Sequence, residues 1–234
     1  MVDCPDAVFA FRGEDELPYV YLFFGAMMRR MFQDPDSGEA HTDYKDRNGD
    51  SQPADTYAVP YGTFWPHLDE KLGPGPVDCY LKPAGKVQVH GLTKTATGFT
   101  KVSWHPQRNI EPECENGVLQ QPELATVSGM CETEHPDHVL LFGTSGGKPV
   151  YWVWNLNDPD VIHAPVALPQ GQGQVQAAFL GYDRPKNSKI PITRLYSRTD
   201  GGFTETAYTI TTTAKGHQFV QQPGAARFLS AGGS

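Results

Sequence analysis

One strand-turn-strand phrase recurs along this 234-residue chain in different letters. His138-Val139-Leu140-Leu141-Phe142, then Gly143-Thr144-Ser145-Gly146-Gly147, then Pro149-Val150-Tyr151-Trp152-Val153-Trp154 is one copy. A second runs from Ile192-Thr193-Arg194-Leu195-Tyr196-Ser197 through Thr199-Asp200-Gly201-Gly202 into Phe203 to Ile210. An earlier one joins Val87-Gln88-Val89-His90-Gly91-Leu92 to Phe99-Thr100-Lys101-Val102-Ser103-Trp104 across Thr95-Ala96-Thr97-Gly98. A repeated hairpin cannot cover its own apolar faces, so such units form an array or ring of small sheets, each buried against its neighbours.

The 24 glycines and 20 prolines break the chain too often for long helices. Pro66 to Leu72 reads as a short helix, and Tyr19 to Phe32 reads as a helix or equally as a strand. An apolar content of 38% supports one all-β domain with a real core. The net charge of −8, spread along the chain, disfavours nucleic acid and favours cationic ligands.

No stretch reaches the roughly 18 apolar residues of a membrane span. The start, Met1-Val2-Asp3-Cys4-Pro5-Asp6, lacks the basic and apolar regions of an export signal. The expectation is a soluble protein of the cytoplasm or a storage compartment. Cys4, Cys79, Cys114 and Cys131 have no metal-type spacing; if one bridge exists, Cys114 to Cys131 is the pair to suspect. Residues 230–234 read as a flexible tail.

A short apolar strand precedes each hairpin: Asp6-Ala7-Val8-Phe9-Ala10-Phe11, Val77-Asp78-Cys79-Tyr80-Leu81 and Val175-Gln176-Ala177-Ala178-Phe179-Leu180. For the third unit the candidate is Ala125-Thr126-Val127-Ser128, a poor match. With Thr126 taken as equivalent, the steps from Asp6 to Asp78, Thr126 and Gln176 are 72, 48 and 50 residues. Four units follow, approximately 1–75, 76–123, 124–173 and 174–229, the first carrying extra material. Connectors repeat too: Phe64-Trp65-Pro66-His67-Leu68, Pro122-Glu123-Leu124 and Ala167-Leu168-Pro169.

In these phrases the chain resembles the hemopexin-like family, whose repeat has an opening like Asp-Ala-Ala-Phe, strands like Val-Tyr-Phe-Phe-Lys-Gly and Tyr-Trp-Arg-Phe, and a Trp-Pro-x-Leu connector. The first unit carries it best, with Asp6-Ala7-Val8-Phe9, Tyr19-Val20-Tyr21-Leu22-Phe23-Phe24-Gly25, Arg29-Arg30-Met31-Phe32 and Trp65-Pro66-His67-Leu68. Tyr151-Trp152-Val153-Trp154 and Gln176-Ala177-Ala178-Phe179 add to it. The length is near that of a lone domain such as the plant seed albumins of that family. The resemblance implies an all-β, four-bladed β-propeller; a β-sandwich is the fallback.

Extracellular relatives often tie the first and last blades with a disulfide, but the last unit here has no cysteine to pair with Cys4. Ring closure then rests on packing alone. In the family the opening strands line a central tunnel, where backbone carbonyls of the first motif position can hold a cation. Carried over, those carbonyls belong to Asp6, Asp78, Thr126 and Gln176, and oxygen ligands of irregular geometry suit a structural Ca²⁺ or Na⁺.

Other candidates are weaker. In the acidic insertion 43–55, Asp46, Asn48 and Asp50 alternate like the start of a Ca²⁺ loop, but Ser51 replaces the turn glycine and Tyr57 stands where a bidentate Glu belongs. Gly143-Thr144-Ser145-Gly146-Gly147 matches G-x-S-x-G, with Asp160 and His163 following, yet a strand rather than a helix comes next, so it reads as a hairpin turn. The histidines read as isolated surface or packing residues, with no zinc or haem site specified by His135 and His138. Strand alternation puts Tyr151 and Val153 on one face and Trp152 and Trp154 on the other, mainly as core.

The favoured reading is a non-enzymatic binding protein with a structural tunnel cation and a small cationic or planar ligand; the seed-albumin resemblance suggests the polyamine or haem class. A protein or glycan recognition module is the alternative, as is a cyclase-type enzyme that works by orienting its substrate. Nothing in the residues specifies an oligomeric state.

Overall fold

The computed structural model describes residues 4–12, 18–33, 40–41, 43–45, 51–53, 59–63, 65–72, 79–81, 88–96, 98–105, 111–133, 135, 137–156, 158–183, 190–200, 202–213, 216–225 and 228–229. Four antiparallel sheets follow one another along the chain. The first holds β1 (Ala7–Arg12), β2 (Pro18–Phe24), β3 (Met27–Gln33) and β4 (Ala40–His41) in that order. In the insertion β5 (Asp43–Lys45) pairs with β6 (Ser51–Pro53), and β7 (Val59–Pro60) returns to β3. The second sheet runs β8 (Cys79–Leu81), β9 (Val89–Thr95), β10 (Gly98–Trp104), β11 (Glu113–Val118). The third runs β12 (Gly129–Glu132), β13 (His138–Ser145), β14 (Lys148–Asn155), β15 (Asp158–Ile162), with β16 (Val166–Ala167) also on β14. The fourth is β17 (Val175–Asp183), β18 (Ile190–Thr199), β19 (Gly202–Thr213), β20 (Gly216–Gln221).

The first strands of the sheets pack in a cycle: β1 on β8, β8 on β12, β12 on β17, and β17 back on β1. Each sheet stays open at its outer edge, so the result is a propeller of four blades rather than a barrel. Tyr19 to Phe32 is strand, not helix, being β2 and β3. The alternation of buried Tyr19, Tyr21 and Phe23 against Val20 and Leu22 sends the two sets to different seams.

Four apolar clusters fill the four seams. Between the first and second sheets Phe9 stacks on Tyr21 at 4.9 Å and meets Trp104 edge-on at 6.1 Å, and Trp65 joins Trp104 at 6.0 Å. Trp152 and Trp154 face the second sheet, packing with Leu92 and Phe99, whereas Tyr151 and Val153 face the fourth, packing with Leu195 and Ile210. One strand of alternating side chains thereby serves two seams.

Each connector plugs a seam with a leucine. Helix α1 (Pro66–Leu72), which starts on proline where a missing N–H costs nothing, sets Leu68 into the first seam. Leu124, on the 3-10 turn Pro122–Thr126, fills the second, and Leu168 the third. The fourth is filled by Phe228 and Leu229, a connector that lies at the chain end, beside Cys4, Val8 and Ala177.

Candidate functional site

The register of each ladder identifies the opening position of each blade. Asp6 donates its N–H to the Phe23 carbonyl at 2.8 Å, and Ala7 stands opposite Phe23. Ser128 repeats this, donating its N–H to the Phe142 carbonyl at 2.9 Å, with Gly129 opposite Phe142. In the fourth sheet a register shift between Val175 and Ala177 leaves Gln176 just ahead of Ala177, which faces Tyr196. The third opening position is therefore Ser128, two residues beyond Thr126. Asp78 lies outside the described residues.

Thr126 has a different task. It ends the 3-10 turn, and its hydroxyl donates to the Thr144 carbonyl at 2.7 Å while accepting the Thr144 N–H at 3.0 Å. That bracket docks the connector on the end of β13, opposite Gly143, where a Cβ would lie 2.8 Å from the Thr126 carbonyl oxygen.

At the opening end the side chains are spent on closing seams. Asp6 accepts the Gly25 N–H on Oδ2 at 2.8 Å and the Arg198 Nη2 on Oδ1 at 3.0 Å, so both carboxylate oxygens are engaged and the first blade is tied to the fourth. Ser128 Oγ donates to the Val175 carbonyl at 2.6 Å, tying the third blade to the fourth. Gly129 stands so close to β17 that a Cβ there would come 3.2 Å from the Gln176 carbonyl oxygen. At Asp6 and Ser128, the side chains are thus engaged with other residues, and the backbone carbonyls are the oxygens left to these two positions. Among the described residues no three His, Cys, Asp or Glu side chains gather as a metal site.

Cys4 is buried and unbridged beside this seam. Burial, partly offset by Arg198, pushes its thiol up to about 11, so it stays protonated at neutral pH. The suspected Cys114 to Cys131 bridge is absent: Cys131 is buried on the innermost strand of the third blade, and Cys114 is exposed on the outermost strand of the second.

The G-x-S-x-G segment is a two-residue hairpin turn. Ser145 pairs with Lys148, and Gly146 and Gly147 between them have φ of 56° and 74°, the left-handed values such a turn demands. Asp46, Asn48 and Asp50 of the insertion lie outside the described residues. The histidines at 135 and 138 are not isolated: their rings stack at 4.0 Å, and His138 lies 6.3 Å from His217.

The cycle of four sheets is the hemopexin fold, as superposition on solved structures shows. A 2S albumin seed protein from Dolichos superposes with a TM-score of 0.60 at 10% identity, over 94% of this chain and 92% of that one. The hemopexin fold protein CP4 from cow pea gives 0.59 at 11% identity, over 95% and 94%. A plant albumin from Cicer arietinum showing hemagglutination gives 0.59 at 10% identity, over 96% and 93%. No family model matches the chain, and no curated protein matches it by sequence. At these identities the likeness is one of fold. No helix among the described residues is long and apolar enough to cross a membrane.

Proposed function

We propose that the protein is a non-enzymatic binding protein: a hemopexin-fold propeller with a structural Ca²⁺ or Na⁺ among the opening-position carbonyls, taking a small ligand of the polyamine or haem class by tunnel or loops. The supporting observation is the opening end itself. There Asp6 and Ser128 spend their side chains on neighbouring residues and blades, and β12 approaches β17 closely at Gly129, which favours backbone oxygens as the ligands at these positions. The acidic net charge favours a cationic ligand.

The test is thermal unfolding of EDTA-treated protein with Ca²⁺, Na⁺, spermine or haemin, alongside elemental analysis of untreated protein. A ligand that binds only the native state raises the midpoint by mass action. A rise with Ca²⁺ or Na⁺ and with one organic ligand is the expected result; no rise with any of them refutes the reading. A second reading, recognition of a protein or glycan by a blade face, draws on the hemagglutinating albumin of the same fold. Red-cell agglutination by the purified protein would favour it.

A further inference from the structure

Four of the eight histidines meet at the end of the ring opposite Asp6, beside the seam between the third and fourth blades. They come from three distant segments: His135 in the β12–β13 connection with His138 opening β13, His163 just after β15, and His217 at the start of β20. The His135 and His138 rings stack at 4.0 Å with 19° between planes, and His217 meets His138 at 6.3 Å and 69°. Tyr151 stands edge-on to His217 at 6.1 Å, and its hydroxyl donates to the His217 carbonyl at 3.4 Å.

The polar atoms here are poorly served. His138 Nδ1 and both ring nitrogens of His217 are shut from solvent and meet no hydrogen-bond partner among the described residues. Among the described residues, the groups facing the cluster are the imidazoles themselves, the Tyr151 phenol and one carboxylate, Asp137, which acts on His138. The Asp137 N–H donates to His135 Nδ1 at 3.3 Å. The rings stack and abut, and among the described residues no three His, Cys, Asp or Glu side chains gather as a metal site.

We propose that this cluster is a proton-operated clasp: neutral imidazoles close the seam between the third and fourth blades, and mild acid opens it, freeing β20 from β13 and β14. Two stacked imidazoles cannot both be charged at 4.0 Å without strong repulsion, and among the described residues no carboxylate acts on His217 to offset a charge placed in the seam. Burial first, and the neighbouring histidines second, hold His138 and His217 below their ordinary 6.5. The native state then binds fewer protons than the unfolded chain below that value. The clasp's contribution is complete above pH 6.5 and is lost as pH falls from there through the depressed native values. Because β20 runs into the segment that carries Phe228 and Leu229, opening the clasp also loosens the last seam.

The test is the thermal midpoint at pH 7.5 and 5.5, a range in which ordinary carboxylates stay charged. It is measured for the natural protein, His217→Phe, the His138→Gln/His217→Phe pair and, as a surface control, His67→Ala. The natural protein and the control should lose about 2–4 °C more than either clasp variant on acidification. Equal losses in all four overturn the proposal. Should the variants fail to fold, NMR titration of the natural protein decides: His138 and His217 must titrate below 6.5, and titration at or above it refutes the clasp.

Discussion

Arg194 and Glu205 form an ion pair inside the fourth blade: Nε lies 3.3 Å from Oε1, and the side chains are 0% and 4% exposed. The same carboxylate accepts the Phe228 N–H on Oε1 and the Leu229 N–H on Oε2, each at 2.9 Å. The Arg194 guanidinium also lies over the rings of Phe179 and Phe228 at 5.9 and 6.0 Å. A buried pair thus grips the last connector and holds it in the seam where the first and fourth blades meet.

Glu205→Ala should destabilise the protein by about 3–5 kcal/mol, because it leaves a buried guanidinium uncompensated and releases two backbone donors. Replacing both partners, Arg194→Met with Glu205→Leu, should recover part of that loss. Urea unfolding at pH 7 measures both; a single-variant loss under about 1 kcal/mol would mean the pair is not a latch.

Gly129→Ala should cost about 1–3 kcal/mol, since the new Cβ lands 3.2 Å from the Gln176 carbonyl and 3.3 Å from the Ala177 Cα, both backbone atoms that cannot turn aside. Gly143→Ala should cost at least as much, at 2.8 Å from the Thr126 carbonyl. Denaturant midpoints at unchanged slope are the readout.

Asp6→Asn and Asp78→Asn should leave cation affinity in the tunnel largely intact if carbonyls are the ligands. The exposed Asp6–Arg198 pair is worth only about 0–1 kcal/mol to stability. Calorimetric titration with CaCl₂ decides, and abolished binding in either variant would make a carboxylate the ligand.

Ser145→Ala should create no change in esterase turnover and alter stability by less than about 0.5 kcal/mol. Gly147→Ala, at φ 74°, should cost about 1–2 kcal/mol. A serine-dependent hydrolysis of p-nitrophenyl acetate would contradict the hairpin assignment.

Much of this was legible in the residues because it is local. The glycine turns, the helix from Pro66 and the two faces of Tyr151-Trp152-Val153-Trp154 follow from φ restrictions and strand alternation, which need no distant partner. The register of the third opening is not legible in this way: Ser128-Gly129-Met130-Cys131 lacks the apolar signature of the other openings, and the ladder to Phe142 is what sets Ser128, two residues beyond Thr126, level with Asp6. The fourth connector carried a usable signal, a leucine like those at 68, 124 and 168, hidden by its place at the chain end.

The sequence by itself determined the architecture, since the period of hairpins and breakers dictates small sheets that must bury one another. The tertiary structure alone decided how the ring closes and where charge and imidazole collect. Asp6 meets Arg198, Glu205 meets Phe228 and Leu229, and His138 meets His217, because the circuit of four blades brings those segments together. Spacing along the chain does not encode which side chains will face each other across a seam.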